Sequence, residues 1–201
     1  NVFTKAPLAE GGAPVGNTFD GNAGGGVLLR LDAAEHVGNQ VQGATFVRNG
    51  GPSIALTNEQ MAYPAFAPAP PSLYTAVVDG EGARVRFRGG TTGQAELFVS
   101  PDCPAGHAEG EPVGRVAAST GLSTAPVPMP SEVSPLGAFV ALTLTTPDET
   151  GLTSAFSGCV RVAAEEDVAE AAVGDGETGP VLDDPLGVEI TAHGGTTLAR
   201  T

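Results

Sequence analysis

Few residues in this chain could carry chemistry. Histidine occurs three times, as His36, His107 and His193, in unrelated contexts. A Ser-His-Asp constellation would need distant loops, and no Gly-x-Ser-x-Gly elbow presents a nucleophile. His107-x-Glu109-x-Glu111 offers nitrogen and oxygen donors, yet in a Gly-rich loop it reads as a solvated turn and not as a metal site. Gly24-Gly25-Gly26 lacks the Gly-Lys-Ser/Thr ending and following helix of a phosphate loop, so it reads as a tight corner. Cys103 and Cys159 lie far apart, flanked by strand-like residues. That suits a bridge better than a metal site needing three or four ligands, and one disulfide points to an exported protein. No catalytic residue, metal or cofactor is expected. Calcium stays open through Asp148-Glu149 or Asp183-Asp184, neither of which has a loop of ligands around it.

The elements that would position any site are read from composition and period. The 201 residues include 29 Gly and 17 Pro, no Trp, and a single Lys at Lys5. Such a chain favours turns and short strands over long helices. A formal charge of −14 makes a phosphate backbone an improbable partner, since binding one requires clustered Lys and Arg. The acidity reads first as a well-solvated surface. No run of about 18 apolar residues is present, so no membrane span is expected. The chain starts at Asn1 and not at Met, as a processed mature chain or a fragment would.

The first 60 residues carry an imperfect repeat. Thr18-Phe19-x-x-Asn22 recurs as Thr45-Phe46-x-x-Asn49, and at the same offset Val27 matches Ile54 and Leu29 matches Leu56. These match a parallel β-helix, in which inward side chains (Phe19, Val27, Leu29, Phe46, Ile54, Leu56) stack coil on coil while Asn22, Asn49 and glycines occupy corners. Arg30, Arg48, Asp20 and Asp32 beside these strands read as solvating charges. Residues 61–72, with Tyr63-Pro64, Pro68, Pro70 and Pro71, form a stiff connection. From residue 73 to 163, alternation appears in Ala83–Arg88, Ala95–Val99, Val113–Ala117, Ala138–Thr145 and Cys159–Val162, at a spacing that suggests a β-sandwich. Arg84, Arg86 and Arg88 alternate with Val85 and Phe87, as a strand with one wet face does. Residues 164–201 are an acidic tail with a last strand candidate, Val188–Thr191.

The run Gly38-Asn39-Gln40-Val41-Gln42-Gly43, continuing through Phe46 to Asn49-Gly50-Gly51-Pro52-Ser53-Ile54-Ala55-Leu56, resembles the last coils of right-handed parallel β-helix proteins of the pectate-lyase-like superfamily. In bacterial surface proteins of that kind an immunoglobulin-like domain follows. Its marks resemble Tyr63-Pro64, Phe98-Val99-Ser100-Pro101-Asp102-Cys103, the loop Gly106–Gly110 and Thr153-Ser154-Ala155-Phe156-Ser157-Gly158-Cys159. The resemblance implies an extracellular or cell-surface location and a disulfide between Cys103 and Cys159. It transfers no catalytic residues, because polysaccharide lyases of the superfamily need a long groove over many coils.

The expected fold is therefore all-β: a short parallel β-helix-like segment in residues 1–60 with its N-terminal arm, then an immunoglobulin-like β-sandwich. Two coils need a cap, which could be the sandwich, the arm Asn1–Pro14, or another subunit. The expected role is an extracellular structural subunit that self-assembles into a surface filament or layer, with other copies of itself as partners. The alternative is a carbohydrate-binding or adhesive module, against which stands the scarcity of aromatic platforms: no Trp, and only Tyr63 and Tyr74.

Overall fold

The structure is a computed structural model that describes residues 2–3, 17–30, 39–57, 68–103, 109–147 and 151–167. The Pro-rich connection up to residue 67, His36, His107, His193, Asp148-Glu149 and Val188–Thr191 lie outside the described residues. The chain divides into two units, Asn1–Val162 and Ala163–Thr201. Of the second, the described residues are Ala163–Asp167, ending in one helical turn. No helix among the described residues is long and apolar enough to cross a membrane.

The first unit is all-β, with three two-stranded parallel sheets and one larger, nearly closed sheet. Strands β1 (Val2–Phe3), β2 (Thr18–Asp20) and β3 (Val27–Arg30) make a first turn of chain, and β4 (Gln40–Val41), β5 (Thr45–Val47) and β6 (Ile54–Thr57) make a second. Each strand of the first turn pairs in parallel with its counterpart in the second: β1 with β4, β2 with β5, β3 with β6. Phe19 faces Phe46, Val27 faces Ile54 and Leu29 faces Leu56. Stacking this tight has a steric condition at Gly26. A Cβ there would lie 2.5 Å from the Ser53 carbonyl oxygen and 2.7 Å from the Phe46 ring. Gly25, where a Cβ would lie 2.5 Å from the Pro52 carbonyl oxygen, and Gly26 are thus spent on close approach of two backbones.

Seven antiparallel strands follow: β7 (Ser72–Asp79), β8 (Gly82–Arg88), β9 (Gly93–Ser100), β10 (Pro112–Ala118), β11 (Leu122–Val127), β12 (Phe139–Thr145) and β13 (Val160–Ala163). Their order in the sheet is β10-β9-β12-β13-β7-β8-β11. The end strands β10 and β11 are consecutive in the chain, and the ladder stops between them. In β8 the alternation reads directly as inside and outside, with Ala83, Val85 and Phe87 buried and Arg84, Arg86 and Arg88 exposed. The interior is filled by those three together with Ala95, Leu97 and Val99 of β9 and Val140, Leu142 and Leu144 of β12.

β9 and β12 break the alternation because both of their faces are covered. Their second face carries Phe98 and Ala141 into a separate apolar cluster with Val41, Phe46, Ile54 and Leu56 of the stacked turns. One pair of strands therefore serves two cores, and the sheet is what the second turn sits on. Thr143 Oγ1 is buried without a hydrogen-bond partner among the described residues. Cys103, just after β9, is bonded to Cys159, just before β13, across 56 residues of sequence. In the loop-entropy account a closure of that size stabilises by roughly 4 kcal/mol.

Candidate assembly face

The two ends of the stacked turns differ, and the residues that make the difference are Glu96 on β9, Glu109 and Gly110 just before β10, and Thr153 between β12 and β13. At the second turn, backbone groups of β4, β5 and the residues beside them are bonded to these residues. Phe46 N–H donates to the Gly110 carbonyl (3.0 Å), and Gly110 N–H donates back to the Phe46 carbonyl (2.7 Å). Val41 N–H donates to Thr153 Oγ1 at 2.8 Å. Gly43 N–H is shared by both carboxylate oxygens of Glu96, at 2.9 and 3.0 Å. Arg48 N–H donates to Glu109 Oε2 at 2.8 Å.

Glu96 is the least expected of these. Its residue is 2% exposed, and burying a carboxylate is costly unless it is paired and hydrogen-bonded. Here Arg115 on β10 donates to it through Nε at 2.7 Å and through a terminal guanidinium nitrogen at 2.6 Å. The one sequence signal for this role is a charged residue inside the apolar run of β9, Ala95-Glu96-Leu97-Phe98-Val99.

A column of aromatic rings runs from the sheet into the turns. Phe98 and Phe156 meet at 4.7 Å, Phe46 lies 5.7 Å from Phe156 and 6.3 Å from Phe98, and Phe19 stacks on Phe46 at 5.4 Å with the planes 14° apart. Burial falls along the column. Phe98 and Phe46 are each 1% exposed, whereas Phe19 is half-buried, as is Val27 in the neighbouring strand. Among the described residues no further strand pairs with β2 or β3. Among the described residues, the first turn is therefore the less covered end of the stack.

The turns are tied to each other at their corner. Asn22 donates to Asn49 Oδ1 through its backbone N–H (3.2 Å) and its side-chain amide (3.1 Å). Asn49 Nδ2 in turn donates to the Phe19 carbonyl at 2.9 Å. Among the described residues, Arg48 is the one non-glycine residue in left-handed conformation, with φ 53°. The corner asparagines act through their side chains and leave the strained backbone to Arg48 and to glycines such as Gly21 and Gly43. Asp20 and Arg48, read from sequence as separate solvating charges, form a bidentate ion pair from one turn to the next, at 3.0 and 2.5 Å. The hydrogen bond from Arg48 holds the Asp20 carboxyl below the usual carboxylate range, and the same bond raises the Arg48 guanidinium.

No protein-family model and no curated protein matches this chain. The geometry is that of a stack bonded at one end to Glu96, Glu109, Gly110 and Thr153 and, among the described residues, left half-buried at the other around Phe19 and Val27. Of the expected caps, the sheet occupies one end, and Val2–Phe3 of the N-terminal arm takes part in the first turn by pairing with β4. Arg30, Asp32 and the loop residues 104–108 contribute no described side chains to the site.

Proposed function

We propose that this chain is an extracellular structural subunit, in which two terminal coils of a parallel β-helix rest on an immunoglobulin-like sheet and associate with other copies through the open first turn. The observation that carries the reading is the asymmetry of the aromatic column. Phe46 is buried, while Phe19 is half-buried, with the Phe46 ring on one face and, among the described residues, no strand on the other. Unpaired edge strands with an apolar interior behind them favour further pairing. The Cys103–Cys159 disulfide supports an oxidising, extracellular setting. In this reading the chain carries no catalytic residues.

Along β4 and β5 the second turn is already bonded to Thr153, Glu96 and Gly110, which makes it a poorer seat for a neighbour's first turn. Open turns of two copies consequently meet as like faces, and an isologous contact of that kind closes at a dimer. Light scattering on the purified chain under oxidising conditions, over a wide concentration range, tests the proposal. Dimers or larger species are expected. A chain that stays monomeric at high concentration defeats the proposal and favours a carbohydrate-binding or adhesive module, which a glycan screen would then identify.

A further inference from the structure

We infer that the exposed arginine row of β8 docks into the acidic groove beside β10 of a second copy, a head-to-tail contact that extends assembly beyond a dimer. The inference rests on the self-assembly reading above. Arg84, Arg86 and Arg88 are three of the chain's nine cations, and all point outward from one strand. Alternate residues on a strand lie about 7 Å apart. Arg84 is engaged by Asp79 at 2.7 Å, but among the described residues Arg86 and Arg88 make no ion pair. Their cross-strand neighbours on that face, Thr75 and Thr124 beside Arg86 and Ser72 and Leu122 beside Arg88, offer no carboxylate.

The complementary surface is on other elements. A groove of about 680 Å³ is lined by Asp102, Glu109, Glu111 and Glu132, with Val113 and Met129 among its apolar walls. A lining that mixes carboxylates with apolar side chains suits arginine, whose guanidinium pairs in a bidentate manner and whose stem packs on hydrocarbon. A solvated anion such as a nucleic acid is disfavoured by the charge of −14, which at physiological salt is screened beyond about 8 Å while contacts closer than that persist. Row and groove sit on different strands, so a copy that donates one still presents the other. Such contacts repeat into a ring or an open chain.

The full-length chain with Arg86→Glu and Arg88→Glu tests this by sedimentation velocity at about 0.15 M salt. Both side chains are exposed, and circular dichroism checks the fold. The wild type is expected to form species larger than a dimer. The double variant should stop at the dimer, with association beyond it weakened at least ~10-fold. A second variant, Glu111→Arg with Glu132→Arg, should stop there too, and mixing the two variants should restore larger species because the reversed charges again match. Unchanged large species in the arginine variant, or a wild type that forms dimers only, overturns the inference and leaves self-assembly standing. A wild type that is monomeric throughout overturns both. Arginine-dependent retention on an acidic polysaccharide with association unaltered also overturns it.

Discussion

Asn22 lies directly over Asn49, and both its backbone N–H and its side-chain amide converge on Asn49 Oδ1, at 3.2 and 3.1 Å. Asn49 passes the interaction on by donating to the Phe19 carbonyl. The amide thus serves as acceptor and donor at once, something neither an apolar nor an anionic side chain can do. Asn49→Ala should destabilise the chain by about 1–2 kcal/mol, as should Asn49→Asp, which keeps the acceptor but points an anion at a carbonyl. Urea unfolding of the two variants checks this, and an Asn49→Asp variant as stable as wild type would show the donor to be unimportant.

Glu96 ties three elements together through Gly43 N–H and Arg115. Glu96→Ala strands a buried N–H and a guanidinium, and should cost about 2–4 kcal/mol, the lower end reflecting the partial exposure of Arg115. Arg115→Ala should cost more than Glu96→Gln, since the first leaves a charge buried without its partner. Thermal unfolding of the three variants gives the ranking.

Thr143 should behave in the opposite way. Its Oγ1 is buried with no partner among the described residues, so Thr143→Val exchanges an unsatisfied hydroxyl for a methyl of similar shape. The expected result is a gain of up to about 1 kcal/mol. A loss on denaturant unfolding would mean that the hydroxyl has a partner, such as an ordered water.

The Asp20–Arg48 pair couples the turns to pH. Because the folded-state pKa of Asp20 is depressed by Arg48, its contribution is present above the ordinary aspartate value near ~3.9 and is lost as pH falls through the lowered value. Both groups are exposed, so the effect on stability should be small. NMR titration should find Asp20 below the ordinary value in the wild type and back near it in Arg48→Gln.

The period between residues 18 and 57 could be read from the chain because stacked turns place like residues over like: Phe19 on Phe46, Val27 on Ile54, Asn22 on Asn49. The alternation of β8 was equally plain. β7 and β11 were not, for different reasons. A register shift at Leu73/Thr75 leaves Tyr74 out of step and breaks the period of two in β7. β11 is an end strand of modest residues, Leu122-Ser123-Thr124-Ala125-Pro126-Val127, in which two small or β-branched side chains face the core. The sealing contacts were hidden for a third reason. Glu96, Glu109 and Thr153 act on backbone groups far away in sequence, as far as 112 residues for Thr153 and Val41, and nothing local marks a side chain that will do so.

In the proposed assembly another copy covers the first turn. Hydrogen exchange followed by mass spectrometry, on the full chain at low and at high concentration, addresses that face directly. The account predicts that amides of residues 18–20 and 27–30 gain protection as concentration rises, while those of Phe46 and Val41, already sealed by Gly110 and Thr153, do not change. Exchange in 18–30 that is independent of concentration would contradict it.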